Sequence, residues 1–162
     1  MNKFLKFLLP ATSSWRKRFL LILMFGLADY LVTLSMCTNP EYEANALASF
    51  LMRSYGIFPG LTITFLLLNV MPMYFTTVLI SRMITPANGK WIVGVTADGL
   101  LAWYCGGGHM YAISTWFRSA DEMRYIGTVL YLLLALLLNF NAIHAGIAAY
   151  HANRNKTTPS NT

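Results

Sequence analysis

Four long apolar runs constrain the fold more than any other feature of this sequence. They cover about residues 19–36, 57–80, 91–117 and 120–150, and each is long enough to cross the roughly 30 Å hydrocarbon layer of a bilayer as a helix. The runs are rich in leucine and lack strict alternation, which argues against barrel strands. The sequence therefore predicts an all-α polytopic membrane protein whose residues 19–152 form a bundle of four transmembrane helices.

The amino-acid composition excludes several other classes of protein. Of the 162 residues, 56% are hydrophobic and 11% are charged, whereas soluble domains have about 25% charged residues. This composition does not fit a soluble enzyme or a disordered protein, and two cysteines do not make a disulfide scaffold. The net charge is +6, and the basic residues that produce it flank the apolar runs instead of forming one basic face. We therefore expect a lipid bilayer, and not nucleic acid, as the partner.

The polar stretch between the first two runs predicts a short additional helix. Asn39, Pro40 and Glu41 together are typical of a helix start, and Gly56 is typical of a helix end. Several large apolar residues between them share one side of a helix. A short amphipathic helix is therefore expected over about residues 40–55, lying at the outer interface of the membrane.

Charge placement predicts the orientation of the chain. If the four runs alternate in direction, most basic residues fall on one side of the membrane: Lys3, Lys6, Arg16, Lys17, Arg18, Arg82, Lys90, Arg154 and Lys156. Only Arg53, Arg118 and Arg124 fall on the other side, so both termini are expected in the cytoplasm, beneath an inner or plasma membrane. Residues 1–18 lack a signal-peptide cleavage site and predict a basic amphipathic segment. Residues 153–162 predict a disordered cytoplasmic tail.

Six polar residues are spaced so that they face the interior of the predicted bundle. Two of them, Asp29 and Asp98, are acids well inside the apolar runs, where an unpaired charge costs several kcal/mol. We expect an intramembrane polar cluster formed by Asp29, Thr33, Asn69, Asp98, Asn141 and His144. The helical rise of about 1.5 Å per residue gives Asp98 and His144 similar depths, so these two are predicted to pair. Such a pair either takes part in function or only fixes the register of two helices.

A weaker candidate site contains Glu43, His109 and Cys37, whose carboxylate, imidazole and thiolate groups are all ligands of metal ions. No tight ligand spacing accompanies them, and the glycines at 106–108 are more typical of close helix packing. Haem is disfavoured, because His109 and His144 lie in opposite halves of the bundle and could not ligate one iron. No cofactor is predicted, a metal ion remains the alternative, and no catalytic residue is assigned because no nucleophile motif is present.

Two short motifs resemble those of a family of small prokaryotic membrane proteins. Residues 29–33 read Asp-Tyr-Leu-Val-Thr, and residues 43–47 read Glu-Ala-Asn-Ala-Leu. They look like the Asp-x-x-x-Thr and Glu-Ala-Asn-Pro-Leu motifs of this widespread family, which is classed only as a domain of unknown function. Ala46 stands where the family usually has proline. The resemblance covers about residues 19–80, and it implies a helical membrane protein without a particular activity.

The resemblance also implies that Asp29, Thr33, Glu43 and Asn45 matter together. Residue spacing alone directs attention to the same four. If the helix at 40–55 folds back over the outer end of the bundle, Glu43 and Asn45 would cap a cavity that Asp29 and Thr33 line. The alternative is that Glu43 only complements the positive end of a helix.

Two functions fit these features. The first is a non-catalytic accessory or scaffold subunit that packs against other membrane subunits or against itself, since no catalytic constellation and almost no extramembrane domain are present. The second is a small oligomeric transporter or channel for protons, metal ions or a small solute, because intramembrane acids and histidines are typical of conduction pathways.

Overall fold

The computed structural model describes residues 12–83, 90–117 and 122–157, and these residues are helical almost throughout and contain no β-strand. The helices are α1, Ser13–Met36; a 3-10 turn, Pro40–Tyr42; α2, Ala46–Tyr55; α3, made of Ile57–Phe65, a π-helical Leu66–Val70 and Met71–Met83; α4, made of Lys90–Leu101, a π-helical Ala102–Gly107 and Gly108–Trp116; and α5, Glu122–Thr157. The predicted all-α class is confirmed for the described residues.

Three of these helices are long and apolar enough to cross a membrane. They are α1, the Ile57–Arg82 part of α3 and the Glu122–Ala149 part of α5. Large apolar side chains such as Leu20, Met24 and Leu137 point outward and are exposed, as expected for helices surrounded by lipid rather than water. The protein is therefore a helical membrane protein.

Contacts between the helices define an antiparallel bundle. The pairs that set its register are Phe19 with Tyr74, Phe25 with Tyr131, Tyr30 with Phe65, Ser14 with Asn139, and Asp29 with His109. Helices α1 and α4 run in one direction, and α3 and α5 run in the other. We call the end where α1 and α4 finish, which also holds residues 37–56, the cavity end. The opposite end is the N-terminal end.

The core lies at the centre of α1, α4 and α5, where close helix approach depends on glycine. Its fully buried side chains are Leu21, Ile22, Phe25, Ala102, Cys105, Tyr131 and Ala135. A Cβ atom added to Gly106 would lie 2.5 Å from the Cβ of Tyr131 and 2.7 Å from the carbonyl oxygen of Gly127. Only glycine allows the backbones of α4 and α5 to meet this closely. At this crossing α4 widens into its π-helical turn and stays unbroken.

Several element boundaries differ from the sequence predictions. Helix α1 begins at Ser13 instead of residue 19, with the hydroxyl of Thr12 accepting a hydrogen bond from the backbone N–H of Trp15. The end of the predicted segment 1–18 is therefore part of the first bundle helix, while residues 1–11 lie outside the described residues. At the other terminus α5 continues to Thr157, beyond the predicted start of the tail.

The predicted helix over 40–55 is two elements. A 3-10 turn at Pro40–Tyr42 is followed by α2, Ala46–Tyr55, because the side-chain oxygen of Asn45 accepts hydrogen bonds from the N–H groups of Leu47 and Ala48 and starts a new helix. Gly56 then adopts a φ of 91°, which favours glycine and allows the sharp turn into α3.

Candidate functional site

A cavity of about 450 Å³ opens at the cavity end of the bundle. It lies among α1, α3, α4 and the segment that leads into α2. Its polar lining residues are Asp29, Thr33, Glu43, Asn45, Thr64, Asn69 and Thr115. The volume is within the range of about 300–1,000 Å³ that is typical of small-molecule sites. The cavity therefore brings together the four residues that carry the family resemblance.

A carboxylate–imidazole contact borders this cavity at the lining residue Asp29. Oδ2 of Asp29 on α1 lies 2.9 Å from Nδ1 of His109 on α4. The side chains are 21% and 13% exposed, respectively, so this pair is largely removed from solvent. Gly26, one turn before Asp29, lies beside the imidazole: a Cβ there would be 3.5 Å from Nε2 of His109, an ordinary van der Waals contact. Two helices that run in the same direction are thus joined by a carboxylate–imidazole contact.

Two further hydrogen bonds fix the walls of the cavity. The indole Nε1 of Trp116 donates to the hydroxyl of Thr33 at 3.1 Å, which ties the end of α4 to α1. The hydroxyl groups of Tyr30 and Thr62 lie 2.9 Å apart and tie α1 to α3. Because these bonds cross between helices and are shielded from water, they hold the lining residues in place without a ligand.

Aromatic rings supply much of the remaining surface of the cavity. The lining aromatic residues are Tyr30, Tyr42, Phe65, Tyr111 and Trp116. The rings of Tyr30 and Phe65 pack against each other with centroids 5.1 Å apart. Asn69 lies in the π-helical turn of α3, just before Pro72. Since proline has no N–H to donate to the carbonyl four residues earlier, the helix is widened where Asn69 reaches the cavity.

Glu43 occupies the segment before α2, and its carboxylate accepts a hydrogen bond from the backbone N–H of Asn45 at 2.8 Å. Burial raises the pKa of the Glu43 carboxyl above its ordinary value of 4.5, the hydrogen bond from Asn45 opposes this shift, and the negative charge of Asp29 adds to it. No Lys, Arg or His of the described residues lies within ion-pair distance of Glu43. Glu43 is thus an unneutralised acid at the edge of the cavity.

The second buried acid, Asp98, belongs to a different cluster near the N-terminal end. Arg18 donates from Nε to Oδ1 of Asp98 at 2.8 Å and from Nη2 to Oδ2 at 2.7 Å. The two side chains are 5% and 9% exposed. The guanidinium group also lies over the ring of Trp15, 5.0 Å from its centroid, and against Gly94. This bidentate contact connects α1 to α4.

The predicted pair of Asp98 with His144 is wrong. The depth estimate assumed that the last helix ends level with the others, but Asn139 on α5 is already level with Ser14, whose hydroxyl donates to Oδ1 of Asn139 at 2.7 Å. His144 therefore lies beyond the start of α1, where it is exposed and stacks on Phe140. The guanidinium of Arg18, which is closer and charged, takes the carboxylate instead.

The six residues of the predicted polar cluster are consequently divided among three places. Asp29, Thr33 and Asn69 line the cavity. Asp98 lies in the contact with Arg18. Asn141 and His144 are exposed on the part of α5 that extends past the bundle. The structure does not bring these six residues together in a single conduction pathway.

Each of the three metal-ligand candidates contacts a different group. His109 contacts Asp29, Glu43 contacts the backbone of Asn45, and the thiol of Cys37 donates to the carbonyl oxygen of Asn39 at 3.3 Å. Across the ranges that the structure describes, no three His, Cys, Asp or Glu residues are arranged to hold a metal ion.

Sequence reasoning does not find the contact of Arg18 with Asp98 or that of His109 with Asp29. The charge pattern groups Arg18 with the basic residues that flank the first run, whereas the extension of α1 back to Ser13 buries it. The sequence presents His109 only as a candidate metal ligand. Both contacts could be found by comparing how deep each residue lies in the membrane. Helices α1 and α4 run in the same direction, so residues that are equally many positions from the ends of these helices lie side by side.

A comparison with protein-family models gives no match, and neither does a comparison with curated proteins or with solved structures. Any functional conclusion therefore depends on the residues and their arrangement.

Proposed function

We propose that this protein is a small membrane transporter whose solute-binding site is the cavity formed by α1, α3, α4 and the segment before α2. The observation that carries the proposal is the cavity itself, about 450 Å³ in volume and lined by carboxylate, amide and hydroxyl groups within a bundle of apolar helices. Polar groups in such a bundle are costly unless they are paired or serve a ligand. Glu43, Asn45 and Asn69 are among the residues that line this space.

Four membrane crossings complete the proposed topology. Helix α4 is less apolar than the other three because it carries Asp98, the glycines of its π-helical turn and His109, and the two ionisable side chains turn inward to partners on α1. Its continuous helical path from Lys90 to Trp116 is about 40 Å long at 1.5 Å per residue, enough to cross the bilayer. With the termini in the cytoplasm, as the charge distribution favours, the cavity opens to the opposite side.

The motifs at residues 29–33 and 43–47 support the same site. We propose that the chain is related to the small prokaryotic membrane proteins that it resembles, and that their motifs mark this cavity. Asp29 and Thr33 come from the first motif, Glu43 and Asn45 come from the second, and all four line one space. If Glu43 only stabilised the start of a helix, there would be no reason for the residues of both motifs to line the same cavity.

The proposal is tested by closing the cavity. Ala44 lies in the lining and is exposed, so Ala44→Trp would fill the opening without disturbing the core. Ala142→Trp, on an exposed part of α5, is the matched control. Purified protein is screened by thermal unfolding against small cationic, neutral and anionic solutes. At least one solute is expected to stabilise the wild type and Ala142→Trp but not Ala44→Trp, and transport of that solute into liposomes should show the same pattern. If no solute stabilises the wild type, the proposal fails.

A second candidate function is an accessory subunit, and one observation favours it. After Asn139, which is 2% exposed, α5 continues to Thr157 with Phe140, Asn141 and His144 all exposed. This extension is about 27 Å long at the helical rise, and most of the residues described between 140 and 152 are exposed. Gentle extraction at native expression followed by native mass measurement distinguishes the two functions: a larger complex supports the subunit, and a lone chain or a homo-oligomer contradicts it.

A further inference from the structure

We infer that the solute recognised by the cavity is a small organic cation, held by the carboxylate of Glu43 and by the aromatic rings around it. This inference rests on the proposed binding function and specifies its ligand. It follows from the charge, the aromatic surface and the ligand groups of the cavity, taken in turn.

The charge of the cavity favours a cation. Two acids, Asp29 and Glu43, are among its lining residues, and none of its described lining residues is Lys or Arg. Asp29 has a partner in His109, but Glu43 has only the backbone N–H of Asn45. A half-buried carboxylate without a cationic partner is costly to leave ionised. A bound cation would supply the missing partner, whereas an anion would add to the repulsion.

The aromatic lining favours an organic cation over a hydrated inorganic ion. Tyr42 and Trp116 line the same space as the carboxylates; the ring of Tyr111, also in the lining, already has the guanidinium of Arg124 over it, 4.7 Å from the centroid. The face of an aromatic ring attracts ammonium groups through its electrostatic quadrupole. Trp116 is held by its hydrogen bond to Thr33, so this ring is positioned before any ligand arrives. Carboxylate together with aromatic faces is a combination that suits alkylated ammonium groups.

The donor set argues against a metal ion as the cargo. Divalent hard cations prefer about six to eight oxygen ligands at short distances, and softer metals prefer several imidazole or thiolate groups. Among the residues that the structure describes, no three His, Cys, Asp or Glu side chains converge in this way. The volume of about 450 Å³ also exceeds the space of a coordinated ion and fits a small organic molecule.

The test uses three probes of similar shape and different charge: tetramethylammonium, tert-butyl alcohol and pivalate. Binding of each probe to purified full-length protein in nanodiscs is measured by calorimetry or by thermal stabilisation. Tetramethylammonium is expected to bind at least about tenfold more tightly than the alcohol, and pivalate is expected not to bind. Since every 1.4 kcal/mol corresponds to a tenfold change in affinity, this difference lies within the range of one charge-assisted contact.

Two variants test the residues on which the assignment of an organic cation depends. Glu43→Gln keeps the acceptor oxygen but removes the charge, and it should weaken tetramethylammonium binding about tenfold without changing binding of tert-butyl alcohol. Tyr42→Leu removes a ring that is 67% exposed at the opening, and it should weaken tetramethylammonium binding about two- to fivefold, whereas Tyr42→Phe should preserve it. Both sites are outside the core, so the variants are expected to fold.

The outcomes separate the ligand class from the proposed function. If tert-butyl alcohol or pivalate binds as well as tetramethylammonium or better, and Ala44→Trp blocks that binding, the cation assignment is overturned and the cavity remains a solute site. If tetramethylammonium binds equally well to the wild type and Glu43→Gln, the assignment to Glu43 is overturned. If none of the probes and none of the broader solute panel binds, both the ligand class and the proposed function are wrong.

Discussion

Asp29 and His109 each stand seven residues before the last residue of their helices, Met36 and Trp116, and the side chains meet with Oδ2 and Nδ1 2.9 Å apart. The equal spacing is the geometric consequence of two helices that run in the same direction and end at the same level. It places the imidazole of His109 against Asp29 in the lining of the cavity, while the buried Asp98 lies near the opposite end with Arg18. The two acids therefore belong to separate side-chain clusters.

Removing only one member of the pair formed by Arg18 and Asp98 should destabilise the protein strongly. Removing one member of a buried ion pair leaves an uncompensated charge, which costs about 3–5 kcal/mol. We expect Arg18→Met or Asp98→Leu to lower the thermal stability of the detergent-solubilised protein sharply. The double variant Arg18→Met/Asp98→Leu should recover much of that loss, because neither charge is then left alone. Additive losses in the double-mutant cycle would mean that the pair is not energetically coupled.

The glycines of α4 should differ sharply in their tolerance of alanine. A Cβ on Gly106 would press on Tyr131 and Gly127, whereas a Cβ on Gly108 would meet nothing within 4 Å. Gly106→Ala is expected to destabilise the protein by about 1–3 kcal/mol through overpacking. Gly108→Ala should be neutral or stabilising by up to about 1 kcal/mol, because alanine is the better helix former. Thermal unfolding of the two single variants measures the difference, and similar effects at both positions would contradict the helix crossing described.

The pKa of Glu43 gives a signed prediction for stability against pH. Burial raises this pKa in the folded protein above the ordinary value of 4.5, so the folded state binds more protons than the unfolded state in the window just above that value. Stability should therefore fall as pH rises through the raised pKa, and Glu43→Gln should remove this loss. The advantage of Glu43→Gln over the wild type, measured by thermal unfolding, should be small near pH 4 and largest at neutral pH and above. If the stability advantage of Glu43→Gln over the wild type shrinks as pH rises, the pKa of Glu43 is lowered in the folded protein and not raised.

The same group should make cation binding depend on pH. The titratable groups that face Glu43 are Asp29, which is paired with His109, and Cys37. Because the raised pKa keeps the carboxyl of Glu43 protonated to a higher pH than usual, the affinity for tetramethylammonium should rise with pH through that pKa and then level off. The rise should be absent in Glu43→Gln. A rise that persists in that variant would point to another group.

Much of the architecture was predictable because membrane helices have a strong local signal. The apolar runs gave helices close to the observed α1, α3 and α5, since length and hydropathy alone decide whether a segment can cross a bilayer. The turn at residues 37–45 was harder, because the side chain of Asn45 starts α2 and divides a segment that reads as one helix. That outcome depends on a single capping contact.

The pairing of charged residues was only partly predictable. Asp29, Thr33, Glu43 and Asn45 could be grouped from their spacing, because consecutive elements usually lie near each other. The partner of Asp98 could not be chosen in the same way, since Arg18 reads as a flanking basic residue until α1 is extended to Ser13. A small error in where a helix begins or ends shifts the depth of every side chain on it by about 1.5 Å per residue.

The most direct test of separate roles for the two buried acids compares Asp29→Asn with Asp98→Asn. Tetramethylammonium binding and thermal stability are measured for both variants in nanodiscs, with only correctly folded protein retained. We expect Asp29→Asn to change the affinity at least about threefold, because the substitution alters the charge of the cavity wall. Asp98→Asn should lower stability by about 3 kcal/mol or more and leave the affinity of the folded fraction unchanged. Loss of binding in folded Asp98→Asn together with unaltered binding in Asp29→Asn would contradict the account.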